Sequence, residues 1–185
     1  MKPQKLLVPG HNDITYLGHE LFQEYFGGEP EVLELGDIAI IPVLSAQYET
    51  PIGVVGRMGG QRKLRNALRE YEGKFRIVVM HHNVIPIPRS REIGFLEDAG
   101  GDVLKVLTDE GTELVLTGHG GNAFGVKIEN TPIVNAGSVS WELHRNPFGN
   151  SFNLVDIYTN MVVVWEVQST WGSRKLLGIW KRKKT

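Results

Sequence analysis

Three short apolar runs each break directly into a polar turn that carries histidine. Residues 5–8 (KLLV) lead into Pro9-Gly10-His11-Asn12-Asp13. Residues 76–80 (RIVVM) lead into His81-His82-Asn83, and residues 113–117 (ELVLT) into Gly118-His119-Gly120-Gly121. Runs this short, stopped by turn residues, read as buried strands rather than helices. In an α/β sheet, functional groups gather beyond the carboxyl ends of the strands. Three strands of similar sense therefore bring His11, His81, His82 and His119 to one rim. Imidazoles collected without thiolates suit zinc, manganese, iron or nickel.

The segments between these runs support layered α/β packing. Residues 15–26 place Leu17, Leu21, Phe22 and Tyr25 on one helical face, and Gly27-Gly28 ends the helix. Residues 61–71 do the same with Leu64, Ala67, Leu68 and Tyr71, and residues 102–109 with Val103, Leu104, Val106 and Leu107. Strands are expected at 31–35 and 37–44, turned at Gly36, and at 75–80. A β-rich end follows at 126–128, 133–135, 152–158, 161–167 and 176–180, with Thr159-Asn160 as a hairpin turn. Helices alternating with strands, then hairpins, give an α/β architecture with an antiparallel end.

Composition removes several classes of function. The 185 residues suffice for one domain, residues 1–185. Cysteine is absent, so any metal is held by His, Asp, Glu or Asn. A net charge of −1 supplies no field for nucleic acid or anionic membranes. No apolar run is long enough to span a bilayer and the N-terminus is unlike a secretory signal, so the cytoplasm is the expected location. The Lys181-Arg182-Lys183-Lys184 run reads as a solvated terminus, and the four tryptophans as packing residues.

The order and wording of the three loops resemble the calcineurin-like metallophosphoesterase family, especially its cyclic-nucleotide and glycerophosphodiester phosphodiesterase branch. PGHND is similar to the family's G-N-H-D, VMHH to its strand-H-H, and TGHGG to its G-H-x-H. Residues 135–138 and 150–153 are similar to its C-terminal strands. The resemblance implies a partial sandwich of two mixed β-sheets flanked by helices, lacking the N-terminal part of the family fold. It implies metal-dependent hydrolysis of a phosphodiester or phosphomonoester, with a divalent metal in one weak site. His11, His81 and His119 are the implied metal ligands, and Asn12 or His82 the implied phosphate contacts. His11 against Asn12, and His81 against His82, stay open as alternatives for facing the metal. Asp13 is expected to orient a histidine rather than bind metal. Arg89 and Arg91 could reach phosphate but read more readily as surface residues.

Two departures qualify the resemblance. The family's D-x-H and G-D-x-x motifs are absent from these residues, and the retained motifs are altered: His11 precedes Asn12, and Gly121 stands where the family has its last histidine. The missing strands imply a bare sheet edge, and hence a homo-oligomer or a separately encoded N-terminal half as partner. The alternative function is a degenerate, non-catalytic scaffold that binds a partner chain.

Overall fold

The computed structural model describes residues 3–47, 50, 52–56, 59–86, 96, 100–140 and 148–182. Strands β1 (Leu33–Leu35) and β2 (Ile38–Val43) form an antiparallel hairpin at the edge of a six-stranded sheet. β2 then runs parallel to β3 (Phe75–Met80), β3 to β4 (Leu114–Thr117), and β4 to β6 (Thr131–Asn135). β5 (Phe124–Ile128) pairs antiparallel with β6 at the far edge, giving the order β1-β2-β3-β4-β6-β5. The inner strands β3, β4 and β6 are almost continuously apolar because both of their faces are covered.

One face of this sheet is covered by α2 (Gly60–Glu70) and α3 (Gly100–Asp109), the connections that let β2, β3 and β4 run parallel. Leu64, Leu68, Val103 and Leu107 from the helices interlock with Ile41, Val78, Met80, Val115 and Ile133. The opposite face, through Phe75, Ile77, Leu114 and Val134, packs on Val162, Val164, Val155 and Ile157 of a second sheet. That sheet is antiparallel in the order β7 (Ser151–Ile157), β8 (Met161–Gln168), β9 (Arg174–Lys181). The result is a two-sheet sandwich.

Arg76 is the main polar tie inside the first layer. It is buried in β3, and its Nε and Nη2 donate to the two oxygens of Glu113, both at 3.0 Å. Nη1 donates to the carbonyl of Leu68 at 3.0 Å and Nη2 to that of Gly111 at 3.1 Å. One guanidinium thus fixes the end of α2 and the α3–β4 turn to β3.

Three expectations from sequence need correction. Residues 5–8 are not a strand; Leu6, Leu7 and Val8 instead line a cleft of about 420 Å³ with Val79, Leu116 and Val155, between the two sheets. Leu7 is itself 42% exposed, so this apolar run marks neither a paired strand nor full burial. The helix after His11 begins later, as α1 (Gly18–Phe26), and none of its residues is buried. Leu17, Leu21 and Tyr25 lie exposed, so among the described residues nothing covers the apolar face that the periodicity marks. Trp171 is 80% exposed rather than packed, whereas Trp180 joins the core between the sheets. Arg89, Arg91, Trp141 and His144 lie outside the described residues. No described helix is long and apolar enough to cross a membrane.

Candidate metal centre

The site is built where β3 and β4 stop. These strands are parallel neighbours with Val79 opposite Leu116, so their carboxyl ends reach the same rim. The chain leaves β3 as His81-His82 and leaves β4 as Gly118-His119. The backbone N–H groups of Gly118 and His119 donate to the His81 carbonyl at 3.0 and 2.9 Å, which locks the two loops together. His11 opens a 3-10 turn, His11–Ile14, at the same rim. The Asp13 carboxylate accepts the Gly10 N–H at 2.8 Å, and Thr15 Oγ1 donates to the His11 carbonyl at 2.9 Å, so this turn is braced at both ends.

Four imidazoles converge. His81 Nε2 lies 3.1 Å from His11 Nδ1 and 3.0 Å from His119 Nδ1. One ring nitrogen from each of His11, His81, His82 and His119 lies within 4.8 Å of the others. Among the described residues no carboxylate joins this group. Asp13, the nearest acid in sequence, is engaged with the Gly10 N–H. Asn12 is exposed within the turn.

Burial keeps the rings of His11, His81 and His119 uncharged. It holds His81 down at about 3, assisted by His82, His119 and His11, and it holds His119 at about 4, assisted by His11. Burial also lowers His11, with the Asp13 charge pulling partly the other way. At neutral pH His11, His81 and His119 are therefore neutral nitrogen donors, the form that a cation binds. Four ring nitrogens within 4.8 Å of one another, with no carboxylate among the described residues, fit a borderline divalent cation.

The supporting shell was not evident from sequence. His82 is fully buried, with Nδ1 3.0 Å from Ser45 Oγ, and Ser45 Oγ also accepts the His82 backbone N–H at 3.1 Å. Under the His119 loop, Asn83 Nδ2 donates to Asn135 Oδ1 at 3.1 Å. Asn135 Nδ2 donates to the carbonyls of His119 at 3.2 Å and Asn122 at 2.7 Å. The available signal was positional: Asn83 and Asn135 are buried amides at the carboxyl ends of apolar strands, where a polar residue needs a reason. Two glycines let the rings in. A Cβ on Gly10 would stand 2.7 Å from His81 Cε1, and one on Gly53 would stand 2.3 Å from His82 Cγ.

No protein-family model and no curated protein matches the sequence. Solved structures do match. GAP50, described as the anchor in the inner membrane complex of Plasmodium, superimposes with a TM-score of 0.58 at 18% identity, over 83% of this chain and 54% of its own. A dimetal phosphatase from Danio rerio gives 0.52 at 14% identity, over 68% of this chain and 38% of its own. The chain thus spans about half the length of the first and well under half of the second. At such identities the likeness is one of fold. Together with the helix-covered mixed sheet packed on a second sheet, it shows that the chain has the calcineurin-like metallophosphoesterase fold.

Proposed function

We propose that this chain carries the histidine side of the metal site of a metal-dependent phosphoesterase. His11, His81 and His119 are the assigned ligands, and the convergence of His11 and His119 on His81 Nε2 is the observation that carries the reading. A divalent cation held there supplies Lewis-acid polarisation of a phosphoryl oxygen. The chain's own residues do the rest. The Asn83–Asn135 network fixes the His119 loop, Asp13 fixes the turn of His11, and exposed Asn12 is assigned to contact with the phosphate group. The dimetal phosphatase among the structural neighbours supports a phosphate ester as substrate. The test is turnover of a chromogenic phosphodiester and phosphomonoester with zinc or manganese. Metal-stimulated hydrolysis that disappears with chelator and in Asn12→Ala and His119→Ala is expected. A rate equal to that of heat-denatured protein, with every cation tried, overturns the assignment.

A second reading, a scaffold that binds another polypeptide, has its own support. The face of the β7–β9 sheet turned away from the core carries Phe152, Leu176 and Ile179, all exposed, beside Trp165. Among the described residues β7 pairs only with β8. An open strand edge beside uncovered apolar surface favours pairing between chains. We assign this face to a second copy of the chain. Light scattering across a concentration series is expected to show self-association that Ile179→Lys weakens. A monodisperse monomer at every concentration ends this reading and leaves the metal site untouched.

A further inference from the structure

We propose that His82 is a fourth metal ligand, held in place by Ser45 and Gly53, and that the resulting all-imidazole site selects zinc, nickel and cupric ions over manganese and magnesium. This rests on the metal reading above and extends it to coordination and cation choice, with the phosphoryl oxygen entering as a fifth ligand of an otherwise four-coordinate cation.

The geometry singles out His82 as a built component. Its ring centroid lies 4.6 Å from that of His81, edge to face, and 5.0 Å from that of His119, stacked at 25°. Its ring nitrogen falls within the same 4.8 Å group as the other three. The Gly53 backbone lies so close to the ring that any Cβ there would collide with His82 Cβ and Cγ, at 2.5 and 2.3 Å. The ring is thus packed against both Gly53 and His119. Ser45, itself fully buried, fixes the rotation: its Oγ lies 3.0 Å from His82 Nδ1 and also receives the His82 backbone N–H. In the proposed state Nδ1–H donates to Ser45 Oγ, and Nε2 presents its lone pair to the cation. A hydrogen bond at the second ring nitrogen is the usual device that sets the tautomer and orientation of a ligating histidine.

Cation choice follows from the donors. Manganese and magnesium favour carboxylate and carbonyl oxygen, and among the described residues the cluster offers no carboxylate. Imidazole nitrogen favours the later first-row ions, whose affinities also rise along the series toward copper. Four neutral donors leave the full charge of a dication uncompensated. Selection therefore depends on the strength of each metal–nitrogen bond, which widens the gap between zinc and manganese.

The experiment titrates the metal-free full chain with zinc, nickel, cobalt and manganese by calorimetry, and records the visible spectrum of the cobalt form. The expected result is tighter binding of zinc and nickel than of manganese, with the intense cobalt band of a four-coordinate site. Ser45→Ala and Gly53→Ala should each weaken zinc binding by about 10–100-fold, the range for loss of a ligand's supporting partner. His82→Gln should weaken it at least as much and remove the cobalt band. Far-UV circular dichroism of each metal-free variant separates loss of a ligand from loss of fold; Ser45→Ala, the mildest change, keeps the test decisive if His82→Gln unfolds. Wild-type zinc affinity and cobalt band in His82→Gln and Ser45→Ala, alongside their loss in His81→Ala, would refute the fourth ligand and leave the three-histidine reading standing. Manganese binding more tightly than zinc refutes the selectivity. Absence of binding by wild type for every cation removes the metal reading itself.

Discussion

Arg76→Leu is expected to destabilise the protein by about 3–5 kcal/mol, the usual cost of removing one partner of a buried ion pair. The guanidinium satisfies both oxygens of Glu113 and the carbonyls of Leu68 and Gly111. Leucine fills much of the space but donates nothing. Among the described residues Glu113 then keeps only the residue-76 backbone N–H, at 3.0 Å, while its charge stays mostly buried. Lysine is a poor substitute, because a single ammonium does not reproduce the guanidinium fork that reaches three acceptor groups. The double change Arg76→Leu with Glu113→Leu should recover part of the loss, since no charge is then stranded. Urea unfolding of the two variants provides the measurement, and a loss below about 1 kcal/mol for the single change would show that the pair is solvated in practice.

The second large effect concerns the centre of the cluster. His81→Ala is expected to lower cation affinity by more than about a hundredfold, the upper range for losing a mere supporting partner. His81 Nε2 is the atom that both His11 and His119 approach, so its removal leaves the remaining nitrogens without a shared centre. The readout need not be catalysis. At a cation concentration a hundredfold above its dissociation constant, a site present only in the folded state adds about 2.7 kcal/mol of stability. That increment should vanish in His81→Ala and persist in His19→Ala, whose ring is exposed and bonded only to Gln23 among the described residues. A stabilisation by zinc that survives the loss of His81 would move the binding site elsewhere.

Much of the architecture was legible because it depends on local pattern. β3 from Ile77 to Met80 and β4 from Leu114 to Leu116 are apolar runs followed by a histidine or Gly-His, and both the strands and the loops that follow them are where the sequence indicated. The hairpin β7–β8 likewise follows from apolar residues flanking Thr159-Asn160, with the Tyr158 N–H donating to the Met161 carbonyl at 2.8 Å. What sequence hid was nonlocal. Residues 5–8 carry the apolar signal of a strand, but whether they pair depends on a free edge far away in the chain. Ser45 lies 37 residues before His82, in a loop with no distinguishing neighbours, and only the folded sheet brings its hydroxyl to that ring. Gly53 was indistinguishable from ordinary loop glycine, because its constraint is the imidazole pressed on it. The face of α1 was readable as apolar, but its exposure was not.

The wide separation of the four rings along the chain has a kinetic consequence. His11 and His81 are 70 residues apart, and His81 and His119 are 38 apart. A cation that meets the unfolded polypeptide finds only the adjacent pair His81-His82, because joining the others first requires closing both long loops. A cation at the proposed site would gain its full ligand set only once both loops are closed. Such a cation would act as a latch on the finished structure, slowing the escape from the native state more than it speeds the approach to it.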